Sequence, residues 1–161
     1  MNILVAVDDS EFADHVADFV CAHSWPAGSH FTVLTVLPSL LPVAAALPPP
    51  ILKDLERDYY IAAGELLKRI ATSIKATGCS VSEKTLAGDP KHQILSVAKG
   101  IKADTIVMGS HGRSGFERMM LGSVSLAVAS HAHCSVMIVR PPVLANKNTD
   151  GAKNVHRELV S

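Results

Sequence analysis

The chain has 161 residues with 15 basic and 15 acidic side chains, a length that suits one domain and a balance that offers no field to nucleic acid or an anionic membrane. Hydrophobic residues reach 48% but aromatic ones only 4%, so the core must come from Val, Ile, Leu and Ala, the palette of buried parallel strands and their covering helices. Cys21, Cys79 and Cys134 are odd in number and far apart, which argues against a disulfide framework or a zinc site and for a reducing, cytoplasmic setting.

The apolar run Ile3 to Val7 is stopped by Asp8 and Asp9 after five residues, too short for a signal-peptide core or a membrane span. It predicts a central parallel strand buried on both faces. Asp9 or Ser10 can then cap a helix with Phe12, Val16, Phe19 and Val20 at three- and four-residue spacing, broken by Trp25-Pro26-Ala27-Gly28. Phe31 to Leu37 predicts a second strand. Pro38, Pro42 and the triplet Pro48-Pro49-Pro50 predict a loop from Pro38 to Pro50.

From Ile51 to Thr77 the pattern is helical, with Leu55, Ile61, Leu66, Leu67, Ile70 and Ile74 on one side and Gly78 as the C-terminal cap. Val81 to Leu86 is less apolar and predicts an edge strand. Gly88-Asp89-Pro90 opens a short helix with Ile94, Leu95 and Val97 inward, and Gly100 closes it. Asp104 to Met108 predicts another buried strand, Leu126 to Ser130 a helix, and Val136 to Val139 the last strand. Pro141-Pro142 ends the fold, leaving residues 1–142 as the domain and the polar residues 143–161 as a disordered tail.

Five strands alternating with four helices imply right-handed crossovers and a three-layer α/β, Rossmann-like sandwich with a parallel sheet of order 3-2-1-4-5. In such sheets the ligand crevice opens at the carboxyl ends of the strands where the winding reverses, here between the first and fourth strands. Those strands end at Asp8 and Met108. The segment that follows the fourth strand carries Gly109, Gly112 and Gly122, the last leading into Ser123-Val124-Ser125. Gly109 and Gly112 permit close approach of the backbone and positive φ, while Gly122 leaves the next helix N-terminus uncovered. Free amides, the helix dipole and the hydroxyls of Ser123 and Ser125 then suit a phosphate without a P-loop lysine.

The spacing Gly109-x-x-Gly112, nine residues, then Gly122-Ser123, resembles the universal stress protein family. The stretch from Ile3 to Pro141 is similar to that family in element order, in the Val7-Asp8 strand ending and in the Gly88-Asp89-Pro90 turn. The resemblance implies an adenine nucleotide alpha hydrolase-like fold, and a homodimer, joined through the last strand, that binds ATP, ADP or AMP, with Mg as an accompanying ion. Ala6, Val7 and Asp8 are implied under the nucleoside, with Asp8 towards base or ribose, and Val36 at the adenine edge. Met108 and Gly109 are implied at sugar and phosphates, with Gly112, Gly122, Ser123, Val124 and Ser125 around the phosphates.

Other readings stay open at this point. Asp8 and Asp9 also fit the acidic pocket of a phosphoryl-accepting receiver domain, although a helix cap explains Asp9-Ser10 equally well. Arg113 and Arg118 can counter phosphate charge or be solvated. His111 has no assignable nucleophile or second base, and His131, His133 and Cys134 lack a fourth metal ligand. No complete catalytic set is legible, so a stress-response regulatory module is favoured over a slow ATPase or phosphotransferase in the same cleft, or a dimeric interaction protein without nucleotide.

Overall fold

The structure, a computed structural model, describes residues 1–10, 12–110 and 121–140. In chain order it comprises β1 (Asn2–Ala6), α1 (Phe12–Ala22), β2 (His30–Leu37), α2 (Leu41–Ala44), α3 (Pro49–Lys75), β3 (Ser80–Ala87), α4 (Pro90–Gly100), β4 (Thr105–Gly109), α5 (Ser123–His131) and β5 (Ser135–Val139). The strands form one parallel sheet in the order β3-β2-β1-β4-β5, the expected topology.

The two faces of the sheet carry separate cores, because successive side chains of a strand point to opposite sides. Ile3, Val5, Phe31, Val33 and Val107 pack under α1 and α3 through Val16, Val20, Leu67, Ile70 and Ile74. Leu4, Ala6, Leu34, Ile106 and Met108 pack on the other face against Ile94, Val97 and Ala98 of α4 and Val128 of α5. Burial on both faces explains why β1 and β4 read as continuous apolar runs.

Three expectations are corrected. The stretch from Pro38 to Pro50 is not all loop: α2 occupies Leu41–Ala44, and α3 begins at Pro49. Proline is tolerated in the first helical turn, where its missing N–H has no intrahelical acceptor to lose, so prolines here start helices as well as break strands. The described residues therefore hold five helices, not four. Ile61 is 53% exposed; it stands nine residues before the buried Ile70, about two and a half turns, which puts it on the opposite side of α3.

The entry to α4 is built from three adjacent residues. Gly88 has φ +129°, a left-handed conformation that disfavours any side chain. Asp89 is the N-cap, its Oδ1 accepting from the His92 amide at 3.0 Å, and Pro90 fills the first turn. Asp89→Ala is expected to lower stability by about 0.5–2 kcal/mol, a drop of a few degrees in Tm for a chain of this size. A thermal melt followed by circular dichroism checks this; an unchanged Tm would contradict the cap.

Candidate functional site

The winding of the sheet reverses between β1 and β4, and the chain leaves both strands at the same edge. At β1 the Val7 amide donates to the Leu34 carbonyl at 2.9 Å, prolonging the sheet by one bond before the chain turns. Asp8 then emerges at the carboxyl edge, where its Oδ1 accepts from the Ser10 amide at 3.2 Å and the Ser10 hydroxyl at 2.5 Å. This local turn fixes the carboxylate beside the entrance to α1.

At β4 the chain runs to Gly109, in register with Val139 of β5. Ser110, only 1% exposed, donates its amide to the Val139 carbonyl at 2.8 Å and accepts at its own carbonyl from the Gly122 amide, also at 2.8 Å. The two ends of the segment between 110 and 122 are thereby tied together. Gly122 is the N-cap of α5 with φ −59° and ψ 155°, and among the described residues no side chain caps the helix. The Leu126 amide bonds to the Gly122 carbonyl at 2.9 Å. The amides of Ser123, Val124 and Ser125 precede it and have no acceptor within the helix. They mark the positive end of the α5 dipole.

Between these features lies a cavity of about 300 Å³, at the small end of the range of about 300–1,000 Å³ typical of small-ligand sites. Its lining brings together Ala6, Val7, Asp8, Val36, Met108, Gly109, Gly122, Ser123, Val124 and Ser125. These are all the residues that the sequence nominated, apart from Gly112. Gly112 lies outside the described residues, as do His111, Arg113 and Arg118. The cavity is apolar along most of its wall, and its polar lining includes Asp8 and the first turn of α5.

Two details of the glycine-led segment differ from expectation. Ser125 is 3% exposed, and its hydroxyl donates to the Gly109 carbonyl at 2.8 Å, with the Ser110 carbonyl also near at 3.2 Å. A serine hydroxyl has one proton to donate, so Ser125 offers the cavity its backbone amide while its side chain bolts α5 to the end of β4. Gly109, expected to permit positive φ, sits in the extended register of β4 and is not among the positive-φ glycines.

The sequence missed Phe12, Ala13 and Val16 of α1, Leu34 and Pro38 around β2, and Gly88, Pro90 and Ile94 at the start of α4. The Gly88-Asp89-Pro90 turn was legible as a helix start, and its position after β3 was the available signal that it also borders the crevice. His131 closes α5 with its Nδ1 2.8 Å from the Ala127 carbonyl. Among the described residues no three His, Cys, Asp or Glu side chains are grouped to hold a metal ion. Burial and then the Asp104 carboxylate push the Cys134 thiol above its usual range, which keeps it protonated and slow to react at neutral pH.

The family model described as "Universal stress protein family" matches residues 1–140. The chain belongs to the universal stress protein family. Universal stress protein MJ0531 of Methanocaldococcus jannaschii is 40% identical over 78 residues, covering 48% of this chain and 46% of that protein, so this chain matches under half of that relative's length. Universal stress protein Sll1388 of Synechocystis is 32% identical over 149 residues, covering 86% of this chain and 97% of that protein. Among solved structures, the universal stress protein from Archaeoglobus fulgidus in complex with dAMP aligns with TM-score 0.63 and 25% identity, covering 86% of this chain and 97% of that one. Among the described residues of this universal stress protein, no helix is long and apolar enough to cross a membrane.

Proposed function

We propose that this chain binds ATP or a closely related adenine nucleotide in the cavity at the β1/β4 switch point and acts as a cytoplasmic, stress-responsive regulatory module. The observation that carries the reading is the first turn of α5, which no side chain among the described residues caps and whose Ser123, Val124 and Ser125 line a largely apolar cavity. An apolar wall suits a purine ring, and a helix N-terminus without a side-chain cap suits a phosphate. Ala6, Val7 and Asp8 take the nucleoside, with the Asp8 carboxylate accepting from ribose or base, and the Val36 backbone meets the adenine edge. Met108 and Gly109 face the sugar. Gly112, Gly122 and the first turn of α5 surround the phosphates. The dAMP complex of the Archaeoglobus relative supports an adenine nucleotide as the ligand class.

The regulatory half of the reading rests on a dimer through β5. That strand ends the sheet, with Val136, Met137, Ile138 and Val139 only half-buried. Such an apolar edge is relieved by pairing with a second copy. Isothermal titration calorimetry on protein stripped of nucleotide, with ATP, ADP, AMP and adenosine, tests the binding. Affinity that rises once a phosphate is present supports it, and no heat with any of the four at about millimolar ligand, a free energy near −4 kcal/mol, overturns it. Sedimentation at micromolar protein tests the dimer separately.

A further inference from the structure

The connection between β2 and the buried half of α3 has a composition at odds with its position. From Pro38 to Leu52 it carries no charged side chain, and Ser39 is its one polar side chain. Yet none of these residues is buried, and in α2 Leu41 is 83% exposed and Val43 40%. A contiguous exposed apolar stretch marks a contact surface. The hydrogen bonds around α2 are internal: the Leu41 amide donates to the Ser39 hydroxyl at 3.3 Å, the Val43 and Ala44 amides to the Leu40 carbonyl at 3.0 Å, and the Ala46 amide to the Val43 carbonyl at 3.0 Å. Among the described residues none of these bonds ties α2 to another element, so the turn is a self-contained unit that can move without unmaking the fold.

The root of this stretch is fixed at the cavity. Pro38 lines the cavity together with Val36, Gly88, Pro90 and Ile94, and the Gly88 amide donates to the Leu37 carbonyl at 3.0 Å, which pins that rim. Leu41 stands three residues beyond Pro38, so their backbones are at most about 11 Å apart. The exposed apolar turn is thereby tethered beside the end of the cavity where Val36 meets the adenine in the proposed pose.

We propose that α2 with its flanks is a strap that folds across the open side of the cavity and lays Leu41 and Val43 on the purine of the bound nucleotide. This rests on the adenine-nucleotide reading of the cavity. Closure takes two apolar side chains and one face of the ring out of water together, and the turn is already hydrogen-bonded, so little further order is lost when it docks. The phosphates lie at the other end of the ligand, against α5. Leu41 therefore contributes to affinity through the nucleoside alone.

Calorimetry with adenosine and with ATP, on the full chain and on Leu41→Ser, tests the strap. The variant is expected to bind both ligands about tenfold or more weakly and by the same factor, the worth of one buried leucine, whereas loss of the α5 donors spares adenosine. Its Tm without nucleotide should stay within about 2 °C of the parent's, because the side chain removed is already in water. Hydrogen exchange on the parent, which needs no variant, should show the amides of residues 39–47 slowed about tenfold or more by saturating adenosine. Equal affinities of parent and variant, or no slowing over 39–47, overturns the strap and leaves the cavity reading standing; a parent that binds neither ligand overturns both. Slowing over 39–47 that grows with protein concentration in the absence of nucleotide would put a second copy on this face, and that also overturns the strap.

Discussion

Gly122→Val is expected to cost adenine-nucleotide affinity by a factor of about 100 or more, equivalent to about 2.7 kcal/mol, while the fold survives. The backbone tolerates the change, because φ −59° and ψ 155° at Gly122 are open to any residue. Valine is a poorer N-cap than glycine, which sets a stability cost of about 1 kcal/mol. The loss of binding has a different origin. Gly122 lines the cavity beside the Ser123, Val124 and Ser125 amides, so an isopropyl group there covers the donors that a phosphate needs. Calorimetry with ATP, AMP and adenosine separates the two effects: affinity for the phosphorylated ligands should collapse towards that of adenosine. Equal affinities of the variant and the parent for ATP would remove α5 from the proposed site.

Phe31→Ala should produce the largest loss of stability among single truncations on the α1/α3 face, about 3–5 kcal/mol. Phe31 is fully buried at the heart of β2, in register between Ile3 of β1 and Val81 of β3. The Trp25 ring meets it edge-on, with centroids 5.5 Å apart at 85°, and Trp25 is itself held by its Nε1 donating to the Val20 carbonyl at 2.8 Å. Truncation therefore opens a void and also removes the platform against which the turn after α1 rests. The neighbouring Trp25 is tethered by that hydrogen bond and so is not free to refill the space. Urea denaturation should show a lowered midpoint with an unchanged slope; a loss under 1 kcal/mol would mean that the core closes over the gap.

Much of this architecture was legible because the chain is locally consistent. Apolar strands buried on both faces leave continuous runs such as Ile3 to Val7, and alternation of strand with helix then dictates a parallel sheet and places its crevice. That the nominated residues, Gly112 aside, border one cavity was legible for the same reason, since they follow strand ends that the topology must gather at one edge. What escaped was set by contacts distant in sequence. The hydroxyl of Ser125 was read as open to a ligand because nothing in the sequence records that the Gly109 and Ser110 carbonyls lie beside it. The α1 side of the cavity, with Phe12, Ala13 and Val16, looks in sequence like any other inward helical face. The prolines misled because the same residue that ends a strand can begin a helix, as at Pro49 and Pro50.

The two helices that start at the cavity are not equivalent. Gly88 and Pro90, which flank the α4 N-cap, border the same space as the first turn of α5, yet Asp89 already places a carboxylate on the α4 amides. One helix end is neutralised from within and the other is left positive. For the proposed nucleotide this difference sets a direction: its phosphates are expected at the α5 end and not at the α4 end, where Asp89 caps the helix between the cavity-lining Gly88 and Pro90.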